Sequence, residues 1–248
     1  MQTRGQVSIF IVVGILILIF SSFLYTKYTV TLPQSHYSES LAIQSFVQSC
    51  VDLAVRSGVR EFGLRGGLTT PALFQPSLVI NGRYIAYYRV GSTLLDLPLE
   101  YYEGYLSEWI GLEMSICLQG IADQVVQKPL LPEVRSSITN QGVLVHVKVP
   151  VIIKVGDAIT AVPSEYASHV NINVLPFIEE AKSWAVEERS YGSEDIFRVS
   201  DAENKRWVMT ASSWMPNSTV VMIVDTTQRI GNEPFVFMFG TTSEEVVS

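Results

Sequence analysis

A chain of 248 residues with a formal net charge of −7 and a pI near 5.0 carries its 17 Lys and Arg scattered along its length. It therefore lacks the clustered basic patch that nucleic acid or an anionic lipid surface requires. Charged residues are 17% and hydrophobic ones 48%, where an average soluble domain is about a quarter charged, so apolar residues must be concentrated somewhere.

They are concentrated at the start. Residues 7–25 (VSIFIVVGILILIFSSFLY) hold no charge, no proline and a single glycine, Gly14. As a helix they rise about 28 Å, close to the hydrocarbon thickness of a bilayer. The apolar run is longer than the core of a secretory signal, and Leu24-Tyr25-Thr26-Lys27-Tyr28 offers no small-x-small cleavage site. An uncleaved anchor with one span is expected, and the lipid bilayer is the first partner. Arg4 precedes the span and Lys27 follows it, so charge orients it weakly; a short cytoplasmic tail and a large exported domain is the commoner arrangement.

The remaining roughly 220 residues suffice for one large domain or two small ones. After an extended link ending at Pro33, a helix is expected from Ser38, its N-cap, with Ile43, Phe46, Val47, Cys50 and Ala54 beside a second stripe of Val51, Val55, Val59 and Phe62. Gly63 or Gly66-Gly67 would stop it. Extended runs at 77–80 and 84–90 flank Asn81-Gly82, a pair suited to the positive φ angles of a type I′ hairpin turn. A second helix is predicted over 99–127, with Tyr102, Tyr105, Leu106, Trp109, Leu112, Ile116, Gly120 and Ile121 on its apolar stripe.

From Gln141 the period changes to two. Val143, Val145, Val147 and Val149 alternate with Leu144, His146 and Lys148; runs at 151–155 and 166–174 continue the strand pattern, with Pro150 as a bulge or edge position. Pro176 opens a third helix that would bury Phe177, Ile178, Ala181, Trp184 and Ala185. Runs at 219–225 and 234–239 read as paired antiparallel strands. The expected class is α+β: after the transmembrane helix, three helices packed on antiparallel sheet. The divisions are an anchor over 1–28, a mainly helical part with a hairpin over 29–132 and a strand-rich part over 133–248, with Pro129–Gln141 as the only seam.

Little in the chain suggests chemistry. His36, His146 and His169 share no metal-ligand spacing, and neither a G-x-S-x-G elbow nor a phosphate loop is present. Glu179-Glu180 and Glu187-Glu188 fall on the outer face of the third helix, where a solvated surface explains them. No catalytic residue, metal or cofactor is implied. Cys50 and Cys117, the only cysteines, lie on or beside the stripes of the first two helices. They are either one bridge or two buried thiols; export and the even count favour the bridge. Asn217-Ser218-Thr219 is an N-glycosylation acceptor pattern before a strand, meaningful only in an exported domain.

The run Thr3-Arg4-Gly5-Gln6-Val7-Ser8 ahead of the span resembles the class III signal sequences of archaeal prepilins. The resemblance implies cleavage by a prepilin-type peptidase between Gly5 and Gln6, with Gln6 and Ser8 matching the family's Q-x-S start. The chain departs from the family at Phe10, where many members carry glutamate. It also implies that the apolar helix, including Val7, Ile11, Gly14, Leu18 and Tyr25, packs against copies of itself as well as in lipid. Over a longer stretch, RGQVSIFIVVG, QSCVDLAVRSGVREFGLRGG, VKVPVIIKVGD and DTTQRIGNEPFVFMFG in this order are similar to single-span envelope proteins of archaea with small genomes. That similarity implies export, one anchor and the Cys50–Cys117 bridge, and gives no residue an activity. The expected function is a non-enzymatic, membrane-anchored cell-envelope protein, a subunit of a cell-surface filament. The rival is an anchored binding or adhesion module that does not polymerise, with Tyr87, Tyr88, Tyr101 and Tyr102 as candidate contact residues, although a core role for half of them is the default.

Overall fold

The structure, a computed structural model, describes residues 34–68, 77–127, 132–150, 152–155, 158–161, 163–186, 196–200, 207–215 and 217–243. Among these no helix is long and apolar enough to cross a membrane. The span expected at 7–25 lies outside the described residues, as do Gly5, Gln6, Val7, Ile11, Gly14, Leu18 and Tyr25.

Residues Ala42–Ser248 form one compact unit. It is α+β, with three α-helices and, among the described residues, sheets of seven, three and three strands. Helix α1 (Gln34–Leu64) begins before the expected Ser38, and its stripe of Val47, Val51, Val55, Val59 and Phe62 is fully buried. It stops at Gly66-Gly67: the Gly67 N–H donates to Phe62 O (2.7 Å) and the Gly66 N–H to Gly63 O (3.1 Å), with Gly66 at φ 69°. This is the Schellman pattern, which favours glycine at the left-handed position.

Helix α2 (Leu99–Cys117) runs antiparallel to α1. Cys50 faces Cys117, Gly58 faces Ile110, and the Phe62 and Tyr102 rings meet edge to face at 6.2 Å. The predicted helix over 99–127 is too long. It ends at Cys117, passes through a 3-10 turn (Leu118–Gln124) and becomes strand β4 (Val125–Gln127), where Val125 pairs with Ile153. Two β-branched valines with a strand to pair against override the helical period.

The large sheet comprises β1 (Ser77–Ile80), β2 (Arg83–Val90), β3 (Thr93–Leu94), β10 (Ile196–Ser200), β11 (Trp207–Met215), β12 (Ser218–Ile230) and β13 (Glu233–Thr242). Its order is β1-β2-β13-β12-β11-β10, with β3 on β2. The expectation of antiparallel pairing needs one correction, because β13 pairs with β2 in parallel. Most of the chain lies between these two strands, so no hairpin dictates their relative direction. The β1–β2 turn forms as expected, with Asn81 at φ 51° and Gly82 at φ 78°.

Helix α3 (Leu175–Val186) lays Phe177, Ile178, Ala181, Trp184 and Ala185 into the core, as its sequence indicates. Phe177 stacks on Trp207 at 4.8 Å and meets Phe235 at 5.0 Å. The C-terminal turn of α1 comes so close to β13 that a Cβ on Gly63 would overlap the Val236 carbonyl and stand 2.8 Å from the Phe235 ring. Gly63→Ala is expected to destabilise the fold by about 2 kcal/mol through overpacking; thermal unfolding of the purified variant checks this, and an unchanged midpoint would contradict the packing.

The second sheet holds β5 (Glu133–Thr139), β6 (Gly142–Lys148) and β9 (Glu165–Val170) in the order β5-β6-β9. The stretch read as a seam thus contains β5, which lies against α2. Pro150 follows β6, and the chain then enters the third sheet, β4 with β7 (Ile152–Val155) and β8 (Ala158–Ala161). A residue without a backbone donor suits that change of partners. The strand expected to reach Val174 ends at Val170, although Ile172 and Val174 are buried beyond it.

Candidate functional site: a charged groove on the small sheet

Alternation decides which side chains of the β5-β6-β9 sheet meet water. Val143, Val145, Val147, Tyr166 and Val170 are buried, so their neighbours point outward. Register sets the outward residues in rows across the strands: Glu133, Lys148 and Glu165 in one, and Arg135, His146 and Ala167 in the next. These charged residues line a groove of about 440 Å³ together with Val147 and Tyr166. Within it the Arg135 guanidinium donates to Glu133 Oε1 at 2.7 Å, an exposed pair. Tyr166 is 6% exposed, and its hydroxyl is buried with no partner among the described residues. Burial pushes its phenol up from the ordinary tyrosine range.

The β5 edge of this sheet is occupied, and one carbonyl on the β9 edge is engaged. The Ser136 N–H of β5 donates to Ser107 Oγ (2.9 Å) and the Ile138 N–H to Glu103 Oε1 (2.8 Å), both from α2. Across the sheet, Gln48 of α1 donates to the Ala167 carbonyl of β9 (3.1 Å). Side chains that satisfy edge groups block the pairing of an added strand. What this sheet offers a partner is its outer face.

A second polar constellation lies inside the protein. Asp225, 2% exposed, is the only charged residue among the described ones that is fully withdrawn from water. Its Oδ1 accepts from the Thr227 N–H (2.7 Å), the Thr227 hydroxyl and the Gln228 N–H (3.2 Å). Its Oδ2 accepts from Gln228 Nε2 (2.7 Å) and Trp207 Nε1 (3.3 Å). Gln228 in turn accepts from the Asn173 N–H (2.6 Å), joining the bulge of β12 to the approach to α3. Burial alone would raise the Asp225 carboxyl, but the bonds from Thr227 and Gln228 outweigh it and hold the group below the usual range. A carboxylate so fully engaged braces the fold and has no lone pair to offer a substrate.

No family model, curated protein or solved structure matches this chain.

Cys50 and Cys117 form a disulfide, with Cα atoms 5.8 Å apart. Asn217 sits at φ 66° in the exposed turn between β11 and β12. His146 and His169 are exposed on the outer face of β6 and β9, while the side chain of His36 lies outside the described residues. No group of three His, Cys, Asp or Glu among the described residues could hold a metal ion.

Three of the four candidate contact tyrosines are buried, namely Tyr87, Tyr88 and Tyr102; Tyr101 alone is exposed, at 56%. For Tyr87 and Tyr88 the reason is that strand β2 is covered on both faces, whereas Tyr102 lies on the buried stripe of α2 that its helical period indicates. Tyr88 faces the main core, whereas Tyr87 packs with Leu78 and Val220 in a small second cluster. The groove residues Glu133, Arg135 and Glu165 were missed by the sequence reading. A signal existed in the polar alternation Glu133-x-Arg135-x-Ser137, hidden directly behind Pro129 and Pro132.

Proposed function

We propose that this chain is a non-enzymatic, membrane-anchored protein of an archaeal-type cell envelope, held by its N-terminal apolar helix with Ala42–Ser248 outside the cytoplasm. The Cys50–Cys117 disulfide carries this reading, since such bonds persist in oxidising compartments and are rare in the reducing cytosol. The uncharged run at 7–25 supplies the anchor and the Arg4-Gly5-Gln6 junction a processing site. In this reading a prepilin-type peptidase cuts after Gly5, and copies then assemble through their apolar helices into a filament.

Intact mass of the protein from its native membrane is the test. Loss of residues 1–5 is expected, and an uncut N-terminus would defeat pilin-type processing. Electron microscopy of sheared surface material should then find the chain in filaments.

One observation favours a second reading, that of an anchored binding module that does not polymerise. The groove on the β5-β6-β9 sheet groups charged residues of both signs on a face beside an edge, β5, that α2 already occupies.

A further inference from the structure

We propose that the groove on the outer face of the β5-β6-β9 sheet binds a neutral carbohydrate. The proposal rests on the binding-module reading above. Along one register row the signs alternate, Glu133, Lys148, Glu165, and the next row adds Arg135 and His146. Hydrogen-bond donors and acceptors therefore stand side by side. A sugar hydroxyl both donates and accepts, so a carboxylate next to an ammonium satisfies both of its halves.

Charge balance points the same way. Two carboxylates offset the two fixed cations, and Arg135 is already held by Glu133 at 2.7 Å. No net positive field remains to select a phosphate or a polyanion. The described residues hold no three-ligand set for a metal, and α2 covers the β5 edge at Ser136 and Ile138. The volume of about 440 Å³ falls in the range of small-ligand clefts, about 300–1,000 Å³.

The test uses the full-length protein in phospholipid nanodiscs, which avoid sugar-headed detergents. It is titrated with oligomannose, oligogalactose and oligoglucose, with heparin and mannose 6-phosphate as charged comparators. At least one neutral oligosaccharide should bind saturably. Glu165→Gln and Lys148→Met should each weaken that binding at least tenfold, and Glu179→Gln, on the exposed side of α3, should leave it unchanged. The replaced side chains are exposed, so wild-type thermal midpoints are expected. Should either variant fail to fold, Arg135→Gln takes its place with the same expected loss. Absence of binding by every neutral sugar, binding of the charged comparators only, or wild-type affinity in the groove variants would each overturn the proposal. Cysteine oxidation, read on the same preparation, separates the two failures. An intact bridge without sugar binding removes the groove assignment alone, whereas free thiols with sugar binding remove the export reading alone.

Discussion

Asp225→Asn is expected to lower the stability of the domain by about 3 kcal/mol or more. The substitution keeps the shape of the side chain but replaces one acceptor oxygen with a donor and removes the charge. Five hydrogen bonds converge on the carboxylate, from Thr227, Gln228 and Trp207. Bonds to a charged group contribute about 1.5–3 kcal/mol each, and a buried donor left without a partner costs about 1–3 kcal/mol. The pH dependence has a definite sign. The carboxyl binds its proton less readily in the folded chain than in the unfolded one. Its contribution is therefore complete above the ordinary carboxylate range, about pH 4, and is lost as pH falls through the lower folded value. Unfolding of both proteins at several pH values should show a gap that is constant near neutrality and narrows in acid. A gap below about 1 kcal/mol, or one that does not change with pH, would mean that Asp225 is not the brace described.

How much of this was legible beforehand depended on whether the deciding contact was local. Helix α3 was readable because Pro176 marks its start and Phe177, Ile178, Ala181, Trp184 and Ala185 recur with its period; all five are buried. The β1–β2 turn was readable because Asn81-Gly82 has few other uses. Strand β5 was not. It carries only two apolar residues, Val134 and Ile138, and is held by β6 and by Ser107 and Glu103 of α2, none of them near it in sequence. The end of α2 failed likewise, since the valines at 125–126 look helical until β7 is there to pair with them. The groove depends on register across three strands, and register comes from long-range packing. His146 and Lys148 were visible singly as polar positions, but nothing local places Glu133 and Glu165 on either side of Lys148. Tyr87 and Tyr88 misled for the related reason that a strand covered on both faces buries adjacent residues.

The disulfide carries the largest expected effect, and its removal tests the fold and the compartment together. Cys50 and Cys117 are separated by 67 residues in sequence. In the chain-entropy account, a loop of that length restricts the unfolded state enough to stabilise the folded one by about 4 kcal/mol. The variant Cys50→Ala/Cys117→Ala should lose roughly that amount, and reductant should lower the wild type by a similar amount while leaving the variant unaffected. Loss of the bridge should not dissolve the α1–α2 pair. Gly58 still meets Ile110, and Phe62 still meets Tyr102, on the side of the pair away from the bridge. The chain just past Cys117 is more exposed to the loss, because the 3-10 turn and β4 follow directly from the bridged residue. Hydrogen exchange should therefore accelerate first over residues 118–127, before the helices themselves open. Uniform acceleration across the domain would instead make the bridge a global restraint with no local role. Trapping thiols with an alkylating agent at cell lysis carries the argument to the living cell. A chain recovered fully oxidised has matured outside the cytosol, and one recovered with alkylated Cys50 and Cys117 would count against export, whatever the purified protein does in air.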